Sequence, residues 1–78
     1  MNESVCSNAA NGGHLNVLEW ARENGCPWDY DTYVKAASEG HLEVLKWLRE
    51  NGCPININEC REIAKQKDFL NILEYLKE

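Results

Sequence analysis

The sequence predicts an all-α solenoid: three helix-turn-helix units stacked in a row, six helices in all, with little or no strand. Three observations predict it. First, Gly13-His14-Leu15-Asn16-Val17-Leu18-Glu19-Trp20-Ala21-Arg22-Glu23-Asn24-Gly25-Cys26-Pro27 recurs 27 residues later as Gly40-His41-Leu42-Glu43-Val44-Leu45-Lys46-Trp47-Leu48-Arg49-Glu50-Asn51-Gly52-Cys53-Pro54. A worn third copy, Phe69-Leu70-Asn71-Ile72-Leu73-Glu74-Tyr75-Leu76-Lys77-Glu78, follows at an offset of 28. A fixed period of about 20 to 50 residues marks units that bury their apolar faces against one another. Second, the repeated segment is apolar at five positions in seven (Leu42, Val44, Leu45, Trp47 and Leu48). That face is too wide for a single buried stripe and suits a helix with neighbours on several sides. Third, each strong copy ends on the same punctuation, glycine and then proline.

The elements follow in order. Each unit opens on a slot held by Ser4, Asp31 or Asn58, spaced 27 apart. All three side chains can cap a helix N-terminus by accepting from a free backbone N–H. The first helices are therefore expected at 5–11, 32–38 and 59–66. Ala9-Ala10, Ala36-Ala37 and Ile63-Ala64 lie near their ends, and alanine there lets another helix come close. Gly12-Gly13 and Glu39-Gly40 make the turn, with glycine free to take positive φ. Gln66-Lys67-Asp68 is one residue longer and lacks glycine, so a different turn is expected there. The second helices are expected at about 14–24, 41–51 and from 69 to the end. Arg22 and Arg49 stand in a last turn, where the helix dipole favours cations. Gly25 and Gly52 supply the left-handed residue after the helix, and Pro27 and Pro54 block continuation. Trp28 and Ile55 then read as plugs over the gaps between units. The chain reads as one domain, 1–78, with units at about 2–28, 29–55 and 56–78.

Composition narrows the function. Eight Lys and Arg against 13 Asp and Glu give a net charge of −5. Phosphate contacts need clustered cations, so nucleic acid and anionic membranes are not expected as partners. No apolar run approaches the roughly 18 residues of a membrane span. Met1-Asn2-Glu3-Ser4 lacks the basic-then-apolar pattern of a secretory leader. The four cysteines fall into repeat slots, Cys26 with Cys53 and Cys6 with Cys60. Equivalent slots in stacked helices stand about 8–10 Å apart per unit, beyond disulfide reach. Free thiols imply a reducing, cytoplasmic setting.

The chemistry-bearing residues read as structure. His14 and His41 could be bases or ligands, but both hold the turn slot, where an imidazole bonds to backbone. A zinc site from His14, Cys26, His41 and Cys53 has suitable ligand types, yet its spacing only restates the period. Cys26 and Cys53 follow helix C-termini, where the partial charge disfavours a thiolate. Trp20, Trp47 and Tyr75 could stack on bases, but their helical spacing assigns them to packing. No glycine-rich phosphate loop, paired catalytic carboxylates or Ser-His-Asp set is present. Neither enzyme activity nor a cofactor nor a metal is expected.

The stretch Ala36-Ala37-Ser38-Glu39-Gly40-His41-Leu42-Glu43-Val44-Leu45-Lys46-Trp47-Leu48, continued by Gly52-Cys53-Pro54-Ile55-Asn56, resembles an ankyrin repeat. The resemblance covers nearly the whole chain as three units. It is strong in the first two and weaker in the third. The family's unit is about 33 residues long, and here about six are missing before the first helix. The family's β-hairpin finger is built from that segment, and its Thr-Pro-Leu-His start is replaced by Asp31-Thr32-Tyr33-Val34. The chain thus resembles a shortened, fingerless variant. The resemblance implies a module that binds another protein on the exposed side of its first helices. Asn8, Asn11, Lys35, Ser38, Glu62 and Lys65 vary between copies outside the apolar pattern and are the expected contact positions. The alternative is self-assembly, as a dimer or longer stack, through end units only partly capped by Ser7, Asn8 and Asn11 and by Tyr75-Leu76-Lys77-Glu78.

Overall fold

The computed structural model of the chain describes residues 3–77. Among them are six helices and no strand: α1 (Glu3–Asn11), α2 (Leu15–Glu23), α3 (Tyr30–Ser38), α4 (Leu42–Glu50), α5 (Ile57–Lys67) and α6 (Leu70–Leu76). They pair as antiparallel hairpins, α1 with α2, α3 with α4 and α5 with α6. The first helices stack directly, α1 on α3 and α3 on α5, and carry most of the contact between hairpins. The result is an elongated body of 33 × 20 × 16 Å.

The helix starts correct the sequence reading. Asp29, not Asp31, caps α3: its extended backbone turns the carboxylate onto the Asp31 N–H at 3.0 Å. Asn56, not Asn58, caps α5, accepting from the Glu59 N–H at 3.2 Å, and its amide reaches the Glu59 carboxylate at 3.4 Å. Asp31 and Asn58 sit two residues inside, and Ser4 lies within α1. The position matching Asp29 in the first unit is Asn2, outside the described residues. The physical reason is the short linker. With only Trp28 or Ile55 between proline and cap, the helix begins as soon as a side chain can satisfy its first N–H groups.

The turns obey one rule in all three hairpins. His14 N–H donates back to the Ala9 carbonyl at 2.9 Å and Gly13 N–H to Ala10 at 3.2 Å. His41 to Ala36 at 3.0 Å and Gly40 to Ala37 at 3.1 Å repeat the pattern. This pair of back-bonds satisfies carbonyls that a helix end leaves free. The third turn was expected to differ. Instead Phe69 donates to Ala64 at 2.9 Å and Asp68 to Lys65 at 3.3 Å, with Asp68 at φ 61° in glycine's place. The additional residue supplies one of the two by which α5, with 11 residues, exceeds α3, with 9.

Neighbouring units lock at these turns. The His41 ring lies over Gly13 so closely that a Cβ there would come within 2.7 Å of it. Its Nε2 donates to the Asn11 carbonyl of the preceding hairpin at 3.0 Å. The Phe69 ring covers Gly40 in the same way, 3.2 Å from where a Cβ would stand. Below these joints lies one continuous core. Ala9, Ala10, Ala36, Ala37 and Ala64 line the close approach of the first helices, while Leu18, Leu45, Leu48, Ile72 and Leu76 fill the hairpins. Each of the larger side chains contributes roughly 1.5–3 kcal/mol by leaving water.

The end hairpins show what stacking does. Val44 is 2% exposed and Ile72 is buried, but Val17 in the same slot is 42% exposed. Trp47 and Tyr75 are half-buried, whereas Trp20 is 54% exposed. The packing role assigned to Trp20 therefore needs correction. That slot faces the preceding hairpin, and among the described residues the first unit has none. At the other end Leu70 is 68% exposed, while Leu15 and Leu42 are half-buried under the next unit.

Candidate functional site

The helical stack turns the repeat into rows. Asn8, Lys35 and Glu62 stand 27 residues apart on α1, α3 and α5; Asn11, Ser38 and Lys65 form a second row three residues on. Residues three apart on a helix are neighbours on one face, so each first helix offers one member of each row side by side. Asn8, Asn11, Lys35, Glu62 and Lys65 are exposed and Ser38 is half-buried.

Their partners differ. Ser38 Oγ donates to the Lys35 carbonyl at 2.9 Å, and the Ser38 carbonyl accepts from Lys67 Nζ at 2.6 Å. Ser38 is thus tied to its own helix and to the α5 terminus. Lys65 and Glu62 form an ion pair at 3.7 Å with both side chains more than half in water, an arrangement worth at most a fraction of a kcal/mol. It would open at little cost to a partner. Lys35 makes no ion pair among the described residues. The Asn11 carbonyl is engaged by His41, so its side chain is presented from a fixed backbone.

The cysteines stand elsewhere. All four are buried and unbridged. Burial first, and then the adjacent Cys26 thiol, pushes Cys6 up to about 12. Burial and the Asp29 charge push Cys53 up to about 12, and burial with the Glu59 charge lifts Cys60 to about 11. Such thiols hold their protons at neutral pH and are poor nucleophiles and poor ligands. Cys53 Sγ is spent on the carbonyls of Asp29 and Pro54, at 3.5 and 3.4 Å. Among the described residues no three His, Cys, Asp or Glu side chains converge to hold a metal. None of the described helices is long and apolar enough to cross a membrane.

At the far ends of the second helices the linkers do act as plugs. Trp28 packs edge-to-face on Trp47, ring centres 5.8 Å apart. The Arg22 guanidinium lies 4.0 Å over the Trp28 ring and donates to the Cys26 carbonyl. Arg61 closes the end of α6, donating to the Leu76 carbonyl at 3.1 and 2.6 Å.

No curated protein and no solved structure matches the chain. The family model of the ankyrin repeat matches residues 35–60, from the middle of α3 through α4 to the start of α5. Ankyrin repeats are generally protein-interaction modules, without catalysis of their own. The all-helical hairpin stack around that match agrees with it, and residues 35–60 are similar to an ankyrin repeat.

Proposed function

We propose that the chain acts as a protein-interaction module of three ankyrin-like units, a single domain over 1–78 with units at about 2–28, 29–55 and 56–78. The N-caps at Asp29 and Asn56 support those boundaries. The partner is another protein, and no catalytic step is involved. One observation carries the reading: three directly stacked first helices present Asn8, Lys35 and Glu62, with Asn11, Ser38 and Lys65 beside them, on a backbone held by inter-unit joints. A surface that is already ordered binds at little entropic cost. The net charge of −5 argues against a phosphate-rich partner. The four unbridged thiols support a reducing, cytoplasmic placement.

The test is capture from native cell extract on immobilised protein, with mass-spectrometric identification. A variant carrying Asn8→Ala, Lys35→Ala and Glu62→Ala, with unchanged circular dichroism, should lose the captured protein. Retention of the same protein would remove the first-helix surface from consideration.

The exposed apolar slots at both ends, Val17 and Trp20 at one and Leu70 at the other, favour a second reading, self-association. Asp68 works against an open head-to-tail stack. Its Cβ occupies the space that Gly13 and Gly40 leave for the next unit's ring. Light scattering over a concentration range separates the readings: a monomer throughout ends this one.

A further inference from the structure

Because the first helices carry most of the contact between hairpins, the second helices leave a groove between the C-terminal ends of α2 and α4. It encloses about 460 Å³ and is lined by Glu19, Arg22, Glu23, Trp28, Trp47 and Asn51. That is within the size range of pockets that take a side chain or small ligand. Its contents are specific to this junction. At the next one, Lys46 replaces Glu19, Ile55 replaces Trp28 and Tyr75 replaces Trp47. Lys46 there pairs with Glu43 at 3.9 Å, and Arg49 lies over Tyr75 at 5.5 Å. If this lining only closed the stack, the residues of the second junction would serve.

Glu19 and Glu23 stand one helical turn apart, both exposed, and neither makes an ion pair among the described residues. Like charges at that spacing repel, by a few tenths of a kcal/mol. The cation between them, Arg22, is drawn off onto Trp28 and the Cys26 carbonyl. Asn51 spends its amide N–H on the Trp47 carbonyl at 2.8 Å, which leaves its side-chain oxygen to accept. The groove therefore joins an indole wall to three acceptors, two of them charged. We propose that it docks a lysine side chain from a basic segment of a partner protein. The four-carbon stem lies along Trp47, beside the Trp28 ring that Arg22 covers, and the ammonium donates to Glu19, Glu23 and the Asn51 amide oxygen. This rests on the interaction-module reading and adds to it a second surface, on the opposite helices from the first.

The test uses the whole chain, with the indole N–H signals of its three tryptophans followed by NMR. The probe is a capped peptide of alternating glycine and lysine. The expected result is a saturable shift of the Trp28 and Trp47 signals with Trp20 unmoved, a loss of binding on lysine acetylation, and about tenfold weaker binding in Glu19→Lys. That variant copies the residue of the next unit and should fold. Equal shifts at all three indoles, equal binding of the acetylated peptide, or unchanged affinity in Glu19→Lys would overturn the proposal. If the peptide is ignored while the Asn8, Lys35 and Glu62 variant still loses its captured protein, the groove falls and the module reading stands.

Discussion

Gly13 and Gly25 share a positive φ, 71° and 80°, but not a neighbour. Around Gly25 a Cβ would meet nothing within 4 Å; at Gly13 it would meet the His41 ring. Gly25→Ala should therefore cost only the left-handed strain of an L residue, about 1–2 kcal/mol. Gly13→Ala carries that strain and also displaces a ring whose Nε2 holds the Asn11 carbonyl, a bond worth about 0.5–1.5 kcal/mol. The expected outcome is a difference of about 1 kcal/mol between the two variants in urea unfolding, with Gly13→Ala the less stable. Equal losses would show that the ring does not brace the joint. The need for glycine in these turns was legible from the repeat. Its second task was not, because the ring belongs to the next unit and its position depends on how the units stack.

At the scale of the element, the period located every helix, but the caps fell two residues from where the sequence put them. Several good capping residues crowd each start: Asp29 and Asp31 in one unit, Asn56 and Asn58 in another. Capping chemistry alone does not choose between them; the length of the linker does, and only the stacked arrangement fixes it. Asp29→Ala and Asn56→Ala should each cost about 1 kcal/mol, the usual loss of an N-cap. Asp31→Ala and Asn58→Ala, inside the first turn, should lose no more than the weaker interaction with the helix dipole, about 0.3–1 kcal/mol for the carboxylate. Thermal melts of the four variants check the order, and a larger loss at Asp31 than at Asp29 would reverse the assignment. The rows of Asn8, Lys35 and Glu62 and of Asn11, Ser38 and Lys65 were legible as variation outside an apolar pattern. The groove at Trp28 and Trp47 was not, although its signal was present: Glu19 against Lys46, and Trp28 against Ile55, are departures at slots that otherwise repeat. Trp28 does plug the gap between units, and the groove opens beside it only once the units are stacked.

Over the whole molecule, the core runs unbroken through three hairpins and carries protonated thiols along its length. Cys6 lies in the first unit, Cys53 at the second junction and Cys60 in the third, all held well above the ordinary thiol value, at about 12, 12 and 11. In the unfolded chain these thiols lose their protons near the ordinary thiol value of 9.0. Between about pH 9 and pH 11 the unfolded state therefore binds fewer protons than the folded one. Stability then falls as pH rises, by up to about 1.4 kcal/mol per pH unit for each such group. Burial raises the Tyr33 phenol as well, so it joins the same trend as the unfolded tyrosine ionises around pH 10. The expected outcome is a urea midpoint little affected by these groups below pH 8 that drops steeply from pH 9. Cys53→Ala should be less stable at pH 7, having lost buried volume, yet its stability should fall less steeply with alkali because one of the three thiols is gone. An unchanged alkaline slope in that variant would mean that Cys53 ionises as readily in the stack as in the unfolded chain, and that water reaches the core between the second and third hairpins.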